Sequence, residues 1–321
     1  MQNPIAAALS TVTLGTPITS TNVTMFPFLG PPTVEREPFY LTLDEAIGQA
    51  WTEITEVSEQ GSVPELRVIN TGAKPVFILD GEELLGAKQN RIVNLSILVP
   101  AASKLVIPVS CVEAGRWRSK SRAFSAAPRA QYSAGRAKRM AAVTLSMQVN
   151  KYSGNQADVW ADISAKAERM GAHSPTSAME EIFSVHQEFT ERCVEELRPV
   201  ERQCGALFMI NGVVVGFDLF DNAVTLRRLL PKLVRSVAVD ALDRSAELKR
   251  KLQPELAQRI ADHFVEQVAA APIHAAKAIG DGEDARIVHQ DLAGGALVAK
   301  DGAVHVSAFA VSRARRRRSR R

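Results

Sequence analysis

Between Pro64 and Val112 the chain offers four apolar runs of strand length, ELRVIN, PVFIL, RIVNLSILVP and KLVIPVSCV, punctuated by NTGAKP, DGEE and PAASK. The punctuation is rich in Gly, Pro, Asn and Asp, the residues that set turn dihedrals. Several strands crowded into so short a stretch predict an antiparallel sandwich or barrel-like sheet. Inside that stretch, GEELLGAKQNRIVN, residues 81–94, packs Glu82, Glu83, Lys88, Gln89, Asn90 and Arg91 between two β-prone segments. So many groups in need of partners mark the place where chemistry is expected.

The flanking segments alternate between the two periods of regular structure. TVTLGTPITSTNVTMFPFLGPP reads as one or two short strands ended by a proline turn, and LTLDEAIGQAW carries a helical stripe at positions 43, 46, 47 and 50. After Trp117 the pattern becomes helical, over 133–150 and 158–170. Ser177 and Glu180 have the spacing of a capping box ahead of an apolar stripe running to Leu197, which predicts one amphipathic helix. Asn211-Gly212 between two β runs signals a hairpin. Pro231 is expected as the first residue of a helix through Leu242, and ELAQRIADHFVEQVA as another helix. A last hairpin should pivot on Asp301-Gly302. The fold class is therefore α+β, with an antiparallel sheet or sandwich in the N-terminal part and helices with two further hairpins in the C-terminal part. We expect a lead-in over 1–20, one domain over 21–310 and a disordered arginine-rich tail over 311–321.

Composition narrows the function classes. At 321 residues with 46% hydrophobic content the chain can bury a large core. It has no apolar run of membrane-spanning length, and the start, MQNPIAAALS, does not read as a secretory signal, so a cytoplasmic protein without a membrane partner is expected. Cys111, Cys193 and Cys204 are widely spaced, which speaks against a disulfide framework or a thiolate zinc site. The net charge of +4 is unevenly laid out: RARRRRSRR at the end carries seven arginines, so the remainder is net negative. Ala114 to Ala157 holds nine Arg or Lys and no Asp or Glu. Concentrated basicity of this kind suits a phosphorylated or polyanionic partner, and the tail suits weak nucleic-acid contact.

Dinucleotide, phosphate-loop, zincin and α/β-hydrolase motifs are missing, so those readings lack their usual supports. His186, on its apolar stripe, reads as a hydrogen-bonded core or boundary histidine. His289 and His305 alternate with apolar residues and read as ordinary strand residues, with pairing across the final hairpin as the alternative. Asp218 and Asp221 follow the central hairpin and are expected in a turn or helix start, with metal binding as the alternative. Two polar strand ends remain. One carries Glu82, Gln89, Asn90 and Arg91; the other, in PVSCVEAGRW, carries Glu113, Arg116 and Trp117. Carboxylates serve as acid and base or hold a divalent metal, Arg clamps phosphate bidentately and Trp stacks on a base or sugar face. The bland alternative is a set of buried salt bridges stitching two turns. Glu83 is expected to face solvent, because neighbours on a strand point to opposite faces.

GEELLGAKQNRIVN, IPVSCVEAGRW, NQADVW around Gln156 and Trp160, and INGVVVGFDLFDN together resemble the ARG and rhodanese-phosphatase-superfamily-associated domain, over roughly residues 20–310. The resemblance implies an α+β domain associated with ADP-ribosylglycohydrolase-type and rhodanese/phosphatase-type partner proteins, and from there a role in handling ADP-ribose or another nucleotide-derived metabolite. Its polar signature falls on Glu82, Gln89, Asn90, Arg91, Glu113, Arg116 and Trp117, and also on Gln156 and Trp160. The expected function is a hydrolase-type enzyme with Glu82 or Glu113 as the catalytic carboxylate, Arg91 and Arg116 as clamps, Gln89 and Asn90 as orienting donors and Trp117 as a stacking wall. The alternative is a binding module without chemistry. The cofactor is left open, with a divalent metal compatible.

Overall fold

The computed structural model describes residues 3–32, 36–147, 152, 155–246, 252–300 and 302–311. The arginine-rich tail expected to be disordered lies outside them from Ser312 on, as does Asp301 of the last hairpin. In chain order the elements begin with α1 (Pro4–Leu9), β1 (Thr13–Leu14), β2 (Ile18–Ser20), β3 (Val23–Leu29), β4 (Leu41–Thr42) and α2 (Leu43–Gly48). A β-rich stretch follows: β5 (Thr52–Glu56), β6 (Glu65–Asn70), β7 (Val76–Ile78), β8 (Glu82–Gly86), β9 (Arg91–Val93), β10 (Ile97–Val99), β11 (Ser103–Cys111) and β12 (Phe124–Ala130). Next come α3 (Ser133–Met147), α4 (Gln156–Arg169), α5 (Glu180–Val185), α6 (Gln187–Glu196), β13 (Gln203–Ile210), β14 (Val213–Phe220), α7 (Ala223–Asp243) and α8 (Pro254–Ala270). The chain closes with β15 (Ile273–Lys277), β16 (Glu283–Ile287), β17 (Leu292–Ala299) and β18 (Gly302–Ala310).

These strands form three sheets, and the protein is α+β. Six strands pair antiparallel in the order β12-β8-β9-β11-β6-β5, and a bridge between Thr55 and Ala123 joins the two edges, curling the sheet shut into a barrel. Its interior is filled by Ile54, Leu66, Val68, Leu84, Val93, Ile107, Val109 and Phe124. A short sheet, β10-β7-β4, packs into the same core. The C-terminal part supplies most of a nine-stranded sheet, whose path runs β1-β3-β13-β14-β18-β17-β16-β15 with β2 also on β3. Both faces of this sheet are covered. Ala206, Phe208 and Ile210 of β13 face the core shared with α7, while Leu207 and Met209 face the core shared with α8 and α1. A strand buried on both faces reads as an unbroken apolar run, as CGALFMIN does.

The Asn211-Gly212 hairpin forms as expected, with φ 52° and 77° at its two central residues. Other expectations are corrected. RIVNLSILVP is not one strand: β9 belongs to the barrel and β10 to the short sheet. The stretch after Trp117 is not helical throughout, because FSAAPRA pairs with β8 as β12. Ser177 caps nothing; it lies at φ 52°, and Ala178 beside it bridges Glu113. The helix begins only at Glu180 and is broken at His186 into α5 and α6. Pro231 lies inside α7, whose N-cap is Asn222, accepting from Val224 N. An interior proline costs about 3 kcal/mol, which burial of Leu226, Leu229, Leu230, Leu233 and Val234 at roughly 1.5–3 kcal/mol each offsets. The closing segment is a four-stranded meander, because IHAAK and EDARI add β15 and β16 to the expected pair. The region expected as a lead-in contributes α1, whose Ile5 and Leu9 are buried in the α8 core. Among the described residues no helix is long and apolar enough to cross a membrane.

Helix α7 lies between the large sheet and the barrel. On it Lys232, Ser236 and Asp240 are all buried, spaced by four so that they share one face. Lys232 pairs with Glu82 of β8 and with Asp44 of α2, the latter at 2.6 Å. Ser236 donates to Gln131 O at 2.6 Å, and Asp240 accepts from Lys166 Nζ at 2.7 Å and from Ala134 N at 2.8 Å.

Candidate functional site

β9 and β11 run side by side with Arg91 opposite Cys111. Gln89 and Arg91, and across from them Cys111 and Glu113, are pairs two residues apart, so the pleat turns all four toward one another. Arg91 Nη1 donates to Gln89 Oε1 at 2.9 Å, Cys111 Sγ lies 3.1 Å from the same oxygen, and Gln89 Nε2 donates to Glu113 O at 3.0 Å. The Glu113 carboxylate accepts from Arg116 at 2.6 Å, from Asn90 N at 3.1 Å and from the Thr176 hydroxyl at 2.8 Å. Burial alone would raise its pKa, but these three donors together hold it below the ordinary carboxylate value. Glu113 is an anion at neutral pH.

Arg116 supports the turn between β8 and β9. Its terminal nitrogens donate to Ala87 O at 2.6 Å, Gly86 O at 3.2 Å, Arg118 O at 3.1 Å and Asn90 Oδ1 at 3.1 Å. That turn places Gly86 at φ 127° and Ala87 at φ 36°, and the Ala87 carbonyl also accepts from Lys120 N at 2.9 Å. Trp117 is 49% exposed, and its ring lies 5.8 Å from the Arg91 guanidinium carbon and 5.4 Å from Lys88 Nζ, both within cation–π range. Gln156, at the head of α4, clamps the Cys111 backbone, accepting from its N–H and donating to its carbonyl, each at 2.8 Å. Trp160 follows one turn later, half-buried on the face that bears on the Cys111 thiol, whose pKa burial pushes up.

Of the nine expected residues, six, namely Gln89, Asn90, Arg91, Glu113, Arg116 and Trp117, thus meet in one connected cluster, Gln156 reaches it through the Cys111 backbone, and Trp160 borders it. Glu82 does not join them. It points from the opposite face of β8 to Lys232 and accepts Leu79 N at 3.1 Å, and burial, the largest influence, raises its pKa against the pull of Lys232. Glu83, expected in solvent, is fully buried and pairs with Arg129 at 2.5 Å, because the face away from Glu82 is covered by Arg129 and α5. Sequence reasoning did not single out Cys111, Thr176 or Glu56, which have no spacing signature of their own.

A second ionic cluster went unread in the sequence. Arg136 of α3 donates to Asp80 at 2.7 and 3.2 Å and to Asp218 at 2.6 and 3.0 Å. His305 Nε2 lies 3.0 Å from Asp218 and its Nδ1 2.9 Å from Ser96 Oγ. Asp218 is therefore a mid-strand residue of β14, neither turn nor helix start, and His305 faces this network and pairs in register with Leu297, not His289. Gly81 has φ 78°, and a Cβ there would meet Arg136 Cγ at 2.9 Å, so the chain needs glycine beside the cluster. Asp80, Asp218 and His305 bring ligand atoms within 4.8 Å of one another, but the Arg136 guanidinium already binds both carboxylates. A divalent cation would have to displace it, so these residues do not fit a metal.

A cleft of about 1360 Å³ opens elsewhere, where Arg36, Arg202, Arg227 and Lys300 surround the start of α7, and no residue of 82–117 lines it. Arg202 is bonded to Gly30 O and Lys300 sits 3.7 Å over the Phe39 ring. The cleft has the size for a ligand but no convergent, buried polar set.

Fold and site together define an α+β protein in which a closed antiparallel barrel docks on a two-faced sheet and carries a buried acid–guanidinium cluster at its strand ends. The chain belongs to the ARG and Rhodanese-Phosphatase-superfamily-associated Protein domain family, whose model matches residues 11–309. The family's description records an association with the ARG and rhodanese-phosphatase superfamilies. No curated protein and no solved structure matches the chain.

Proposed function

We propose that this protein is a hydrolase-type enzyme acting on a phosphorylated, nucleotide-derived metabolite of the ADP-ribose or NAD kind, at the cluster where β9, β11 and the Trp117 loop meet. The observation that carries this reading is the convergence of Gln89, Asn90, Arg91, Glu113 and Arg116 beside the half-exposed Trp117. In it Glu113, ionised and bonded to the Thr176 hydroxyl, is the carboxylate suited to a base, and Glu82, closed off with Lys232, takes no part. A functional tie to ADP-ribosylglycohydrolase-type or rhodanese/phosphatase-type proteins is in keeping with the family's description.

A second reading, a ligand-binding module without turnover, is favoured by one observation: both Glu113 oxygens are already bonded within the chain. Melting curves with ADP-ribose, NAD, nucleotides and sugar phosphates, with and without magnesium or manganese, separate the two. A ligand at 100 times its Kd should stabilise the protein by about 2.7 kcal/mol. Product formation that Glu113→Gln abolishes below its melting temperature supports the enzyme; stabilisation without product supports the module. No stabilisation by any member of the panel removes both.

A further inference from the structure

Arg91 and Arg116 share one cluster but use their donors differently. Arg116 spends both terminal nitrogens on oxygens of the chain itself. Arg91 uses only Nη1, on Gln89, and its Nε and Nη2 have no acceptor among the described residues. Those two nitrogens form one edge of the guanidinium, and their N–H bonds run parallel, matched to two oxygens of a phosphate or carboxylate. The side chain is 0% exposed, a setting in which an uncompensated charge and two unused donors are costly. One carboxylate oxygen nearby, Glu56 Oε2, is also buried without a partner, and Glu56 is close enough to act electrostatically on Arg91. Trp117 stands over the guanidinium in a segment, 117–120, that is exposed throughout.

We infer that the Nε–Nη2 edge of Arg91 is a bidentate subsite for a phosphate group, reached by displacement of the Trp117 indole. Arg116 is then the residue that shapes the turn and Arg91 the one that binds. The inference rests on the reading of the cluster as a site for a phosphorylated ligand, and it names which atoms hold the phosphate. Carboxylates share the same chemistry, so the test must tell the two apart.

Inorganic phosphate, acetate and ADP-ribose are titrated into the full-length protein and followed by tryptophan fluorescence and melting temperature. Phosphate should change the fluorescence and raise the melting temperature. Arg91→Met should melt no lower than the wild type, since it removes a buried charge that has no ion pair among the described residues, and should lose the phosphate response. Arg91→Lys, which keeps the charge but not the paired edge, should weaken phosphate binding about tenfold or more. A phosphate response unchanged in Arg91→Met, or in Arg91→Lys if the methionine variant does not fold, overturns the inference, as does a response to acetate alone. Phosphate binding through Arg91 without any ADP-ribose response would leave the subsite standing and sink the nucleotide reading. An ADP-ribose response indifferent to both Arg91 variants would do the reverse.

Discussion

Charged side chains in this protein are placed where their loss should be felt very unequally. Glu113 and Arg116 are both buried, and removing one partner of such a pair leaves the other uncompensated, so Glu113→Gln should lower the unfolding free energy by about 3 kcal/mol in a urea titration. Trp117, half exposed, should behave in the opposite way: Trp117→Ala should shift stability by less than about 0.5 kcal/mol. If the indole stacks on a base, the same change should cost about 1–3 kcal/mol of ligand affinity, measured calorimetrically. Asp80 and Asp218 add a pH dependence. Burial alone would raise both pKa values, but Arg136 together with His305, and with Arg139 at Asp80, more than reverses it. Groups depressed in this way stabilise the fold above the unfolded carboxylate value of about 4, and that stability drains as pH falls toward the folded values. Acid titration of Arg136→Met should lack this component; an acid-unfolding profile parallel to the wild type would rule the cluster out as its source.

At the level of elements, the parts that sequence reasoning reads correctly are those with a local cause. Asn211-Gly212 demands positive φ at both positions, and the hairpin follows. The two polar strand ends meet because β9 and β11 are neighbours, so the alternation that places Gln89 and Arg91 also places Cys111 and Glu113. What stayed hidden has a distant cause. The partner of Glu82 is Lys232, 150 residues on, and Asp218 finds Arg136 from 82 residues away. The capping signal at Ser177 fails because Ala178 is held as a bridge to Glu113. Pro231 looks like a helix start by propensity alone, yet buried contacts on α7 carry the helix through it. The corollary is testable: Pro231→Ala should raise stability by up to about 3 kcal/mol, and a drop in melting temperature would mean that the proline ring itself packs usefully.

Across the whole molecule, the acid-free block from Ala114 to Ala157 does not present a uniform basic face, since Arg116, Arg129, Arg136 and Arg139 are buried in ion pairs. Any affinity for nucleic acid is then expected to reside in RARRRRSRR: truncation after Val311 should abolish it, and binding that survives would have to come from the folded body. The polar face of α7 has a different reach. Lys232 speaks to the barrel, Ser236 to the strand leading into α3 and Asp240 to α3 and α4. Turning the helix by a single position would tear out all three anchors together, so α7 behaves as a toothed axle between two bodies that cannot slip past each other one notch at a time. Barrel and large sheet should therefore be lost in one concerted event, with no plateau between them.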